Sequence, residues 1–193
     1  MKSITPKELL NNSSKSILIL DIRNSSQFRD WHIKNSENID VYNEIWGGDF
    51  DYVKKKLSAL PKDKKIITVC NAGVTSQNAS MLLESMGYET IVLEKGMIGW
   101  NSLHHAVDAV NENDLLVKQI IRVGKGCLSY LICSKSAKEC LVVDPSQFVE
   151  EYAEIAKNNG FKIIGVMETH AHADHLSGAK ILAEMAKAKY YAS

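Results

Sequence analysis

Net charge is the first thing this 193-residue sequence lacks: 23 basic and 23 acidic side chains cancel. The balance also holds locally, with 13 basic against 12 acidic residues up to position 103 and 10 against 11 beyond it. Neither half carries the basic excess that a phosphate backbone demands, which excludes nucleic acid as a partner. Long apolar runs are missing too. No stretch approaches the roughly 20 residues a membrane helix needs, and the N-terminal MKSITPKELL has no signal-peptide core. Internal repeats and low-complexity tracts are absent. Cysteine is sparse: Cys70, Cys127, Cys133 and Cys140 contain no C-x2-C pair, which excludes a zinc ribbon. Few cysteines without a leader lead us to expect reduced thiols and a cytoplasmic location.

What is present is 45% hydrophobic and 24% charged residues, enough apolar side chain for a buried core. At roughly 100–200 residues per domain, the length fits one large domain or two small ones. Three of the six histidines fall between positions 170 and 175, the least random feature of the composition.

The first half alternates helix and strand signals. Thr5-Pro6-Lys7-Glu8 offers an N-cap, a proline at the first helical position and a capping-box glutamate. Residues 17–21 (ILILD) and 65–70 (KIITVC) read as strands covered on both faces. Helices are predicted at 25–31, 49–60 and 75–86, a third strand at 89–93, and a last short helix within 96–103. Such alternation implies a parallel α/β sheet. The polar stretch 104–114 (HHAVDAVNEND) reads as a linker, with His104 and His105 exposed in it. Beyond it, strands at 115–123, 127–133 and 139–143 read as an antiparallel meander. A helix at 147–159, a strand at 162–167, a helix at 173–188 and the start of a strand at 190 follow. Cys127, Cys133 and Cys140 fall on predicted strands and read as core thiols.

Cys70 closes a buried strand, and Asn71, Ala72, Gly73, Val74, Thr75 and Ser76 lead into a helix. In parallel α/β sheets, ligands gather at the carboxyl ends of strands. Loop N–H groups and the positive end of the helix would stabilise a thiolate, or an anionic sulfur substrate bound there. A buried structural thiol is the competing reading. Leu20-Asp21-Ile22-Arg23, Trp31-His32-Ile33, Glu37-Asn38-Ile39, the 70–76 loop, and Leu93-Glu94-Lys95-Gly96-Met97 with Trp100 together resemble the rhodanese domain. The resemblance implies a rhodanese-like parallel sheet flanked by helices over residues 1–103. It also implies a sulfurtransferase in which Cys70 takes sulfane sulfur as a persulfide, with no cofactor. Asp21, Arg23 and His32 would organise the fold. Thr75 stands where thiosulfate-using members often carry a basic residue. A dianion there loses a charge-assisted bond worth ~1.5–3 kcal/mol, which shifts the expected donor from thiosulfate towards glutathione persulfide or a protein persulfide.

Residues 170–175 place His170, His172, Asp174 and His175 after an apolar strand. Two histidines spaced by two in extended backbone point to one side and can grip one metal, and imidazole with carboxylate suits Zn²⁺ or Fe²⁺. With Ser129-Tyr130-Leu131-Ile132, Val142-Val143-Asp144-Pro145 and Glu168 to Ala179, this region resembles the metallo-β-lactamase fold, in its persulfide dioxygenase and glyoxalase II branch. The resemblance implies iron in preference to zinc, with His170 as one ligand. It also implies further ligands downstream, so residues 115–193 would be the N-terminal part of an αββα sandwich, truncated at Ser193. One sheet face would then lack its partner, and we expect a dimer or aggregate through 115–193. Taken together, the expectation is a sulfurtransferase coupled, in a longer form, to a persulfide dioxygenase. A glyoxalase II type thioester hydrolase and a non-catalytic persulfide carrier or sensor are the alternatives.

Overall fold

The computed structural model describes residues 2–12, 14, 16–172 and 176–192. The chain forms two compact units, residues 1–103 and 104–193. The first contains β1 (Ser3–Ile4), α1 (Pro6–Leu10), β2 (Ile17–Asp21), α2 (Ser25–Asp30) and β3 (Glu37–Asn38). It continues with α3 (Tyr42–Gly47), α4 (Phe50–Leu57), β4 (Lys65–Val69), α5 (Thr75–Ser85), β5 (Thr90–Leu93) and α6 (Gly96–Ser102). Its five strands are all parallel, in the order β1-β5-β4-β2-β3.

Local chemistry explains the placement of these elements. Thr5 Oγ1 accepts the Glu8 N–H at 3.2 Å while the Glu8 carboxylate accepts the Thr5 N–H at 2.8 Å, a reciprocal cap that starts α1. Asp49 caps α4 by accepting the Tyr52 N–H at 3.2 Å. The apolar runs of β2 and β4 are buried in the middle of the sheet. Leu18 and Leu20 join Ile66, Val53, Leu57, Ala79 and Leu83 in one core. Each such fully buried aliphatic contributes about 1.5–3 kcal/mol. Helix α3, which the sequence pattern did not reveal, joins the same core through Val41 and Ile45. Gly48 ends it in the left-handed region at φ 79°.

The second unit contains β6 (His104–Glu112), β7 (Leu115–Arg122), β8 (Leu128–Ser134) and β9 (Glu139–Val143). Then follow α7 (Val149–Asn158), β10 (Lys162–Glu168), α8 (Ala179–Ala186) and β11 (Lys189–Ala192). The sheet order is β11-β10-β9-β8-β7-β6. The β7–β9 meander is antiparallel, whereas β10 runs parallel to both β9 and β11. Cores of Leu116, Ile120, Leu131, Val142 and Val166 pack against Tyr152, Leu182 and Ala183 of the two helices.

Four expectations need correction. Residues 104–112, read as part of a linker, are a nine-residue strand paired antiparallel with β7. The reversal at Asn113-Asp114 makes this possible, Asn113 taking φ 40°. His104, expected in solvent, is 8% exposed and contacts Ser146 Oγ through Nε2 at 3.0 Å. Helix α8 begins at Ala179 rather than 173, because Gly178 packs against the Ser146 backbone and donates its N–H to Pro145 O at 2.9 Å. A Cβ at Gly178 would collide with the Ser146 carbonyl oxygen. Cys127 precedes β8 and is half-buried, while Cys133 and Cys140 face each other across β8 and β9 in the core.

Candidate functional site

Cys70 follows β4, the middle strand of the parallel sheet, and is 1% exposed. Its Sγ accepts the N–H of Gly73 at 3.2 Å and that of Ser76 at 3.3 Å. Ser76 Oγ lies 3.3 Å from the same sulfur; a thiol donates to it, and a thiolate accepts from it. Helix α5 starts without a side-chain cap, its N-cap being Val74. The sulfur therefore accepts an N–H of the first turn, where the helix dipole favours negative charge. Two neutral amides and a hydroxyl directed at one sulfur suit a thiolate, or the terminal sulfur of a persulfide anion.

The loop that makes this nest is held by backbone contacts. Gly73 takes φ 85°, and Gly96 takes φ 49° with no room for a Cβ against the Cys70 carbonyl oxygen. That carbonyl accepts the Met97 N–H at 2.8 Å, and the Asn71 carbonyl accepts the Ile98 N–H at 2.9 Å. Thr75 and Ser76 are buried, whereas Ala72 and Val74 are exposed. Thr75 Oγ1 accepts the Trp46 Nε1–H at 3.0 Å, so its side chain is directed inward to α3. Asn71 reaches Gln27 at 3.5 Å. Arg23 is committed elsewhere: its guanidinium binds both Asp21 oxygens, at 2.6 Å and 2.9 Å for the shortest contacts, and the Trp31 carbonyl at 2.7 Å. His32 stacks on Phe28 and contacts its carbonyl oxygen at 2.8 Å through Nδ1.

At the end of β10, Asp144, His170 and His172 bring a carboxylate oxygen and two imidazole nitrogens within 4.8 Å of one another. Asp144 Oδ1 lies 3.2 Å from His172 Nε2 and accepts the Thr169 N–H at 2.8 Å. Its Oδ2 accepts from Thr169 Oγ1 at 2.6 Å. Burial alone would raise the Asp144 carboxyl, but the hydrogen bonds from Thr169 and His172 outweigh it and hold the group below its ordinary range. Hydrogen bonds from Ser177 and Tyr190 likewise lower Glu168. The donor set fits a divalent transition metal, with a carboxylate behind one imidazole setting its tautomer. Asp174 and His175, the other two residues expected to bind metal, lie outside the described residues.

A model of the rhodanese-like domain matches residues 5–103, just over half the chain. The chain belongs to the rhodanese-like family. Residues 122–193 match the metallo-beta-lactamase superfamily. This rhodanese-like protein is 25% identical over 88 residues to the putative sulfurtransferase YtwF of Bacillus subtilis, covering 46% of this chain and 77% of that one. It is 28% identical over 150 residues to the tRNA uridine(34) hydroxylase of Onion yellows phytoplasma, covering 68% of this chain and 48% of that one. It is also similar to the mitochondrial persulfide dioxygenase of Bos taurus, 26% identical over 69 residues, or 35% of this chain and 27% of the other. The chain thus spans about half the length of the hydroxylase and about a quarter of the dioxygenase.

In this rhodanese-like chain the structure brings Gly73 and Ser76 onto the Cys70 sulfur, buries Thr75 against Trp46 and turns Val74 outward. It brings His170 and His172 together with Asp144, which the sequence reading treated only as part of a strand-end motif. The sequence offered only an aspartate before a proline at the end of an apolar run; its left-handed backbone (φ 51°) and its place beside β10 emerge from the fold. Trp46 was missed because its partner is 29 residues away. The thiols of Cys133 and Cys140 are raised by burial, Cys140 to about 12, which makes them poor nucleophiles.

Proposed function

We propose that this chain is a persulfide sulfurtransferase with Cys70 as its sulfur carrier. The observation behind this reading is the convergence of the Gly73 and Ser76 amides and the Ser76 hydroxyl on a sulfur at the end of the central strand. The Cys70 thiolate attacks the outer sulfur of a donor persulfide. The donor S–S bond breaks, the donor leaves as a thiolate, and Cys70 is left as a persulfide. An acceptor thiolate then attacks that outer sulfur and regenerates the Cys70 thiolate. The nest stabilises the anionic sulfur in both resting states. Thr75 is neutral and turned inward to Trp46, which favours glutathione persulfide or a protein persulfide over thiosulfate as donor. The unbridged thiols of Cys70, Cys133 and Cys140 suit a reducing compartment such as the cytoplasm.

In the second unit, His170 and His172 would hold a metal, with Asp144 orienting His172 and with Asp174 and His175 as further candidate ligands. The similarity to a persulfide dioxygenase favours iron. Such a metal supplies Lewis acidity and redox capacity to a persulfide substrate; the two units would then handle one chemical class of sulfur. A zinc-loaded protein that hydrolyses thioesters would replace this reading of the second unit.

The test of the first reading is sulfur transfer from glutathione persulfide to a thiol acceptor. Wild-type protein should turn over, and Cys70→Ser should lose activity to the uncatalysed rate. A Cys70→Ser protein with undiminished transfer would remove Cys70 as the carrier. Thiosulfate should be the poorer donor, by about ten- to a hundredfold if one charge-assisted bond is missing.

A further inference from the structure

Trp46 is 67% exposed, yet its indole N–H is not spent on water. It donates to Thr75 Oγ1 at 3.0 Å, across 29 residues of chain. The core contacts of this segment are made by Val41 and Ile45, both buried, and the Trp46 ring remains largely in solvent. Packing alone therefore gives little reason for an indole there. Its bond ties the end of α3 to the first residue of α5. Thr75 is 2% exposed, and the next residue, Ser76, provides both an amide and a hydroxyl at 3.3 Å from Cys70 Sγ. Val74 caps nothing, and two side chains from other elements hold the first turn of α5: Thr68 Oγ1 donates to the Ser76 carbonyl oxygen at 3.0 Å, and Trp46 holds Thr75.

We propose that Trp46 is a positioning residue for Cys70: by holding Thr75, it fixes the first turn of α5 so that both Ser76 donors face the sulfur. The inference rests on the reading of Cys70 as sulfur carrier, and it adds a residue that never touches the sulfur. A thiolate or persulfide anion is stabilised only by donors already in place, since donors that must reorient cost free energy when charge develops. Without the tether, the turn is held from the Thr68 side alone, the Ser76 donors are less closely fixed, and the anionic sulfur is stabilised less.

The experiment measures iodoacetamide alkylation of Cys70 as a function of pH, with peptide mass mapping to separate it from Cys127, Cys133 and Cys140. The variants are Trp46→Phe, which keeps a ring and removes the N–H, Thr75→Val, which removes the acceptor, and the pair together. Trp46→Phe should slow alkylation near neutral pH by about three- to tenfold, the range of one neutral hydrogen bond, and move the profile to higher pH. Thr75→Val should do the same, and the double variant should be no slower than the slower single one. Wild-type kinetics in Trp46→Phe, or an undiminished Trp46→Phe effect in the Thr75→Val background, would overturn the proposal. The readout is independent of turnover. Failure of sulfur transfer in the wild-type protein would remove the sulfurtransferase reading, whereas the alkylation profiles alone decide the role of Trp46.

Discussion

Both oxygens of Asp144 are already engaged, Oδ1 with His172 Nε2 and the Thr169 amide, Oδ2 with the Thr169 hydroxyl. A carboxylate so occupied is better suited to orienting an imidazole than to binding a metal itself. Asp144 Oδ1, 3.2 Å from His172 Nε2, instead fixes the orientation of that ring. This distinction gives a measurable difference. His172→Ala should abolish stoichiometric metal binding, whereas Asp144→Ala should retain it with affinity about 10–100-fold lower. Competition against a metal chelator measures both. Equal and complete loss in the two variants would make Asp144 a ligand in its own right. The pair His170 and His172 was legible from spacing alone, because two residues apart in extended chain means the same side. Asp144 was not, because its place beside β10 depends on parallel pairing of β9 with β10, separated by all of α7.

At the scale of elements, the Cys70 nest depends on how closely the start of α6 approaches the loop after β4. Gly96 sits at φ 49° with its missing Cβ directed at the Cys70 carbonyl oxygen, and its neighbours Met97 and Ile98 hold the carbonyls of Cys70 and Asn71. Gly96→Ala adds a methyl where backbone stands, so the loop must shift and the donors to Sγ with it. Sulfur transfer should fall more than about tenfold, with a stability loss of about 1–3 kcal/mol from overpacking; transfer assays and thermal unfolding would measure the two effects. Retention of full activity would show that the nest does not need this close approach. The elements themselves differed in legibility for physical reasons. Helix α1 was readable because its cap lies within four residues. Strands β2 and β4 were readable as unbroken apolar runs: β4 is buried on both faces, and β2 is buried on its Leu18 and Leu20 face and half-buried on the Ile17 and Ile19 face. Strand β6 was not, because an edge strand keeps polar residues: Asp108 pairs with Lys118 at 2.6 Å while only His104 is fully buried. Helix α3 has six residues and shows no periodicity to detect.

Across the whole second unit, α7 and α8 cover one face of the mixed sheet through the Leu131, Cys133, Val142 and Val166 side. Strand alternation sends Leu115, Ile132 and Leu141 to the opposite face, where they line a depression of about 300 Å3 with the bulged Ile164. Leu115 is 43% exposed, and Ile132 and Ile164 are each 37% exposed. Tyr191, 47% exposed, extends the apolar surface beyond Gly165. The sheet edges are less inviting for pairing. Strand β6 carries a bulge after Asp108 and a charged pair, and β11 is four residues long and begins at Lys189. Association should therefore proceed through the face and not by strand addition. Sedimentation velocity over a concentration series should show dimers or larger species, and Ile132→Lys with Ile164→Lys should shift them to monomer, because a charge at each position would have to be desolvated in the interface. A single monomeric species for the unaltered protein at every concentration would refute the idea. Persistence of the dimer in the lysine variant would move the interface to another surface.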